Sequence, residues 1–273
     1  MSRIAVVTGA SRGLGRITAL HLTRQSWRVA MTARNKFAVD SPDAACVIAD
    51  VASPTSMHEC AQQTLSALGP ASLLVCNAAV LGPVGRITDC DSDEFESALR
   101  TNIVGVVNTI RAYWSQLQQT QHGRIIVVSG GGTGGPRPML RAPAYVPSKA
   151  AVGALVEVLA PECAEIGAAI IAVAPGAVIP SEFLAGVSSY PTDVAGESLV
   201  NEAVTQRAAK ESAADGYLHL LDYLAGDAGA HLNGALLSGR WNTPEQLNTL
   251  ITSGITSNMY RLRRVDGDLF FEH

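Results

Sequence analysis

At 273 residues, with 47% hydrophobic and 16% charged side chains, the chain can bury a large core and carries too little charge for intrinsic disorder. Its formal net charge of −4 gives no electrostatic footing for nucleic acid or an anionic membrane, and no apolar run approaches the ~20 residues that cross a bilayer. The five cysteines (Cys46, Cys60, Cys76, Cys90, Cys163) form no CxxC pair and no metal-ligand cluster, so no metal is expected.

The opening "MSRIAVVTGA" enters an apolar run at once, so no signal peptide is expected; with scattered, unpaired thiols this predicts a reducing, cytoplasmic setting. The first predicted strand, "RIAVVT" (3–8), runs into "TGASRGLG" (8–15) and a helix over 13–25. Gly9 permits the sharp strand-to-helix turn, Gly13 lets backbone approach a pyrophosphate, and Gly15 allows close helix–sheet packing. The helix then offers its free N–H groups and positive dipole end to the anion. Taken alone, such a glycine trio marks only a tight turn. After the first strand of an alternating α/β chain it predicts dinucleotide binding.

"WRVAMT" (27–32) is the second strand and continues as "TARN", with Ala33 where an NAD-preferring site carries an acid and Arg34 next. "ACVIA" (45–49), a helix over 54–68 and "SLLVC" (72–76) follow. A long helix over 91–119 opens with Asp91 and Glu94 in a capping-box pattern. "RIIVVS" (124–129) is a fifth strand, and 130–143, with five glycines and three prolines, is a loop. A helix over 144–166 begins with "YVPSK", which puts Tyr145 and Lys149 on one face. Pro147 is tolerated in its first turn, whereas Pro161 lies inside it and should kink it. "AIIAVA" (169–174) is a strand, 180–215 a polar lid, 216–225 a helix and "ALLSG" (235–239) a last strand; none is expected after Trp241. Strands apolar on both faces, alternating with helices, predict an α/β fold. It is read as a single Rossmann-type, doubly wound parallel sheet with helices on both faces. One domain is expected over 1–240, with 241–273 as its extension.

Six motifs in register make 3–240 resemble the short-chain dehydrogenase/reductase family: the G-x-x-x-G-x-G loop, "ADV" (49–51), "CNAA" (76–79), "TNIVG" (101–105), "YVPSK" and "APG" (174–176). The resemblance implies that Asp50 binds the adenine amino group and that Asn77 borders the inner ribose. Ser11, Leu14, Val51 and Ala78 would line the same cofactor, and Pro175, Gly176 and Val178 the nicotinamide. Arg12 and Arg34, with no carboxylate at 33, match the family's arrangement for a 2′-phosphate, hence NADP(H). Tyr145 would be the general acid/base, and Lys149 would lower its pKa and hold the nicotinamide ribose. Asn102 would hold a water linking Lys149 to solvent. Dimers or tetramers would form through helices 91–119 and 144–166.

The chain departs from the pattern in several places. Ala79 replaces a glycine, and Pro180 stands where a threonine is usual. The family's substrate-orienting serine lies thirteen residues before the tyrosine, here Gly132; aligned from the strand it falls on Gly130. Ser129 or Thr133 is then the candidate replacement, with a backbone-bonded strand-end residue as the equal alternative for Ser129. Glu182, Asp193, Glu197, Glu202, Glu211 and Asp215 in the lid suit a polar or amino-bearing ketone such as a modified sugar, or form a solvated face; Arg137 and Arg141 pull towards an anionic one. The function expected is NADPH-dependent interconversion of a small polar ketone and its secondary alcohol. A cofactor-binding sensor that has lost catalysis and an epimerase are the alternatives.

Overall fold

Runs of β-branched and aliphatic residues are apolar on both of their faces, and this chain pairs seven of them in parallel. The computed structural model describes residues 3–39, 41–120, 122–130, 140–176, 187, 190–197, 199–201, 204, 214–254 and 260. The strands are β1 (Ile4–Thr8), β2 (Arg28–Ala33), β3 (Ala44–Ile48), β4 (Leu73–Cys76), β5 (Arg124–Val128), β6 (Ala169–Ala174) and β7 (Leu236–Ser238), in the order β3-β2-β1-β4-β5-β6-β7. Each predicted strand is present, with ends shifted by at most one residue.

Period-two alternation sends side chains to two separate cores. Ile4, Val6, Leu74, Ile125, Val127 and Ile170 face Met57 of α2 (Pro54–Ala67), Ile110 and Tyr113 of α4 (Gly105–Thr120), and Val152 and Val156 of α5 (Tyr145–Glu165). Ala5, Val7, Leu73, Val75, Ile126 and Ile171 face Leu22 of α1 (Gly13–Arg24) and Tyr217, Leu220 and Leu221 of a helix over Ala214–Ala225. The sheet is therefore covered on both sides, as parallel sheets require. The strand order reverses between β1 and β4, which opens a crevice beyond their carboxyl ends. Among the described residues no helix is long and apolar enough to cross a membrane.

Two elements differ from expectation. The predicted helix 91–119 is α3 (Ser92–Leu99), a π-turn over Arg100–Val104, then α4. Periodicity cannot reveal this, since one widened turn leaves the amphipathic stripe almost intact. The Asp91 carboxylate does cap α3, accepting from the Glu94 N–H at 2.8 Å. After Trp241, where nothing was assigned, a helix spans Pro244–Ser253. Its signal was local: Thr243 and Gln246 form a reciprocal capping box, with Pro244 at the first helical position. α5 continues through Pro161 to Glu165.

Candidate active site

The glycine loop sits at the carboxyl end of β1, directly in the crevice. Gly9 and Gly13 adopt left-handed φ values of 66° and 56°, which a side chain would strain. A Cβ on Gly15 would lie 2.4 Å from both the Gly9 carbonyl oxygen and Asn77 Nδ2, so this glycine is required for close approach. Among the described residues, a Cβ on Gly13 would meet nothing within 4 Å. α1 starts with no side-chain cap and no acid in its first turn. An uncapped helix start behind an open, left-handed glycine fits a pyrophosphate.

β4 closes the other side. Asn77 Nδ2 donates to the carbonyls of Thr8 (2.8 Å) and Gly9 (3.3 Å), while Thr8 Oγ1 accepts from the backbone N–H groups of Asn77 (3.0 Å) and Ala78 (3.1 Å). Asn77 thus clamps the glycine loop to β4, and Thr8 is a contributor that sequence reasoning passed over. Asp50 Oδ1 accepts from Ala52 N–H at 2.9 Å in a local turn, and the cap of α2 is Ser53. Val51 is buried; its side chain lies where a Cβ on Gly105 would come within 2.7 Å. Arg12 and Arg34 are both exposed, while Ser11 and Leu14 are half-buried on the loop and first turn. Gly176 adopts a φ of 80° directly after Pro175. Val178, Thr133, Arg137 and most of the expected lid lie outside the described residues.

Four sequence-predicted residues converge where β4, the π-turn, β5 and α5 meet. Tyr145 is 8% exposed, Lys149 3%, Ser129 1% and Asn102 0%. Lys149 Nζ donates to the Val128 carbonyl at 2.7 Å and lies 5.7 Å from the Tyr145 ring centroid. Burial pushes the Tyr145 phenol well above its ordinary range, the reverse of the lowering expected from Lys149, because desolvation dominates; it therefore holds its proton. Burial also lowers Lys149 to about 8, an effect that Cys76 opposes. The Cys76 thiol is itself pushed up to about 12, again by burial, so at neutral pH it contributes no charge.

The two remaining residues have defined partners. Asn102 Oδ1 accepts from Val80 N–H at 2.8 Å, and its Nδ2 donates to the Val80 carbonyl (2.9 Å) and to Ser148 Oγ (3.0 Å). Both amide donors are committed, so a relay water would have to be held by other atoms. The Ser129 hydroxyl donates to the Lys149 main-chain carbonyl at 3.1 Å, the backbone-bonded arrangement. Its neighbour Gly130 is packed against the reaction centre: a Cβ there would come within 2.4 Å of the Tyr145 hydroxyl. A serine at 130 would therefore have to displace Tyr145 from its observed place. Ser148, fully buried and bonded to Asn102, is the second contributor that the sequence did not single out.

A groove of about 510 Å³ opens beside the first turn of α5, with Arg86, Ile87, Leu140, Arg141 and Val146 among its walls. Arg141, at a left-handed φ of 63°, is one of two guanidinium-bearing residues there.

Comparison with known proteins agrees with this fold. An NADPH-dependent aldehyde reductase-like protein, chloroplastic, of Arabidopsis thaliana is 29% identical over 258 residues, covering 86% of this chain and 92% of its own. An actinorhodin polyketide ketoreductase variant solved with NADPH superposes with a TM-score of 0.74 at 22% identity, over 90% of this chain and 98% of its own. A xylitol dehydrogenase bound to NAD⁺ gives 0.76 at 22% identity, over 86% and 96%. The sequence model describing the short chain dehydrogenase matches residues 3–191, well over half the chain, and this protein belongs to that family of oxidoreductases.

Proposed function

We propose that this protein is an NADP(H)-dependent oxidoreductase that interconverts a ketone and a secondary alcohol on a small, polar, sugar-like substrate. The observation that carries this reading is the buried Tyr145–Lys149 pair on α5, with the ammonium tied to the end of β5. When bound, the nicotinamide supplies the hydride; Gly9, Gly13, Gly15, Asp50, Asn77, Pro175 and Gly176 are the residues that would hold the dinucleotide. Tyr145, protonated in its buried setting, donates its hydroxyl proton to the developing alkoxide in reduction and accepts it back in oxidation. Lys149, tied to the Val128 carbonyl, presents an ammonium that favours the phenolate formed when the proton leaves. Ser129 holds the main chain of Lys149, so among the described residues no side-chain hydroxyl beside Tyr145 is assigned to orient the carbonyl, and a substrate hydroxyl is the group proposed for that role.

Arg12 and Arg34, exposed at the ends of the glycine loop and β2, support a preference for the 2′-phosphate. NADPH is expected to bind more tightly than NADH, and Arg34→Asp to narrow or reverse the difference; fluorescence titration with both cofactors checks this, and equal affinities for the unaltered chain would refute it. Oxidation of NADPH against a panel of polyhydroxylated ketones and keto acids tests the reaction itself. A sensor reading, favoured only by Gly130 in the serine position, requires binding without turnover of any panel member. Five free cysteines fit a reducing, cytoplasmic setting. Val104 before α4 and Val158 on α5, 41% and 67% exposed, support homo-oligomerisation through these helices. A dimer or tetramer is expected by light scattering, and Val158→Glu should shift it towards monomer.

A further inference from the structure

Within the first turn of α5, the Ser148 hydroxyl donates to the Tyr145 main-chain carbonyl at 2.6 Å. The same oxygen accepts from Asn102 Nδ2 at 3.0 Å, and Asn102 in turn holds both backbone groups of Val80. We propose that Ser148 is a positioning residue that couples the loop after β4, through Asn102, to the backbone of Tyr145. This rests on the function proposed above.

The connections are buried and specific. Asn102 and Ser148 are both 0% exposed, so water cannot replace a bond that either loses. Asn102 has two amide donors; one goes to Val80 and the other to Ser148. Removing the hydroxyl therefore leaves one buried amide N–H without an acceptor and frees the Asn102 side chain to reorient. The π-turn is what carries Asn102 to this point between β4 and α5. Asn77 and Ala78, just before Val80, border the expected cofactor site, and Tyr145 is the expected proton donor. A rigid bridge between the two fixes the phenol relative to the bound cofactor. A displacement of ~1 Å is enough to lower such a reaction ~100-fold.

The test compares Ser148→Ala, Ser148→Cys and Ser148→Thr in the full-length protein, by kinetics and by NMR of protein labelled with 13C at the tyrosine ring carbon bearing oxygen. The Tyr145 resonance is assigned from its loss in Tyr145→Phe. Ser148→Ala is expected to lower kcat ~10-fold or more, with little change in the NADPH dissociation constant, and to shift or broaden the Tyr145 resonance alone among the six tyrosines. Ser148→Thr, which keeps the hydroxyl, should restore the Tyr145 resonance and most of the rate. Ser148→Cys, nearly the same size with a weaker donor, keeps the comparison open should the alanine variant fold poorly. If the Tyr145 resonance in the alanine and cysteine variants matches the unaltered protein, the proposal is wrong. The NMR reading is independent of turnover, so a protein that reduces no ketone would overturn the proposed function without deciding this point.

Discussion

Tyr145→Phe is expected to lower turnover by at least ~100-fold while NADPH affinity stays within a few fold, the lower range for losing a general acid. The substitution removes one oxygen and keeps the ring, which is 8% exposed and packed against Gly130, so the fold around it has little reason to change. Among the described residues, neither the neighbouring hydroxyl nor the neighbouring amide is placed to substitute. The Ser129 hydroxyl is engaged with the Lys149 carbonyl, and the Asn102 amide with Val80 and Ser148. Steady-state turnover beside a cofactor titration measures both halves of the prediction. Turnover within a few fold of the unaltered enzyme would show that another group delivers the proton, or that the chemistry is not carbonyl reduction.

Lys149→Met should separate activity from stability. Turnover is expected to fall at least ~100-fold, because the phenolate loses its neighbouring cation. Stability should move the other way at neutral pH. Burial holds Lys149 near 8 in the folded protein against an ordinary 10.5, so between these values the unfolded chain keeps a proton that the folded chain has released. Stability from this group therefore rises with pH across that window, and the cost of burying the ammonium is fully present below about 8. Removing the charge recovers at most roughly 3 kcal/mol, less whatever the Nζ bond to Val128 contributes. The methionine variant should melt several degrees higher than the parent at pH 6.5, and the gap should close towards pH 10.5. A variant less stable at every pH would show that the hydrogen bond outweighs the desolvation of the charge. This is the stability that an active site gives up to keep a reactive group in place.

Much of the architecture is legible in the sequence. "RIIVVS" and "AIIAVA" are apolar at every interior position, and their short length and β-branched residues read as strands covered on both sides. Gly9, Gly13 and Gly15 answered to local demands of turn geometry and close packing, and Tyr145 and Lys149 to the pitch of one helix. These are properties of contiguous residues, so the chain itself determined the sheet, its two covering layers, the glycine loop and the Tyr–Lys face.

What the tertiary structure decided is of another kind. Asn102 meets Val80 across 22 residues and Ser148 across 46, on separate elements that no periodicity relates. Ser129 turns to the Lys149 carbonyl 20 residues away, and Gly130 leaves no room for a Cβ beside the Tyr145 hydroxyl of α5. The lowered Lys149 and the raised Tyr145 depend on burial, which exists only once the layers close. Hydrogen-bond direction and desolvation belong to the assembled interior, and for that reason the partners of the serines and of the asparagine amide, and the surroundings of Gly130, follow from packing rather than from spacing.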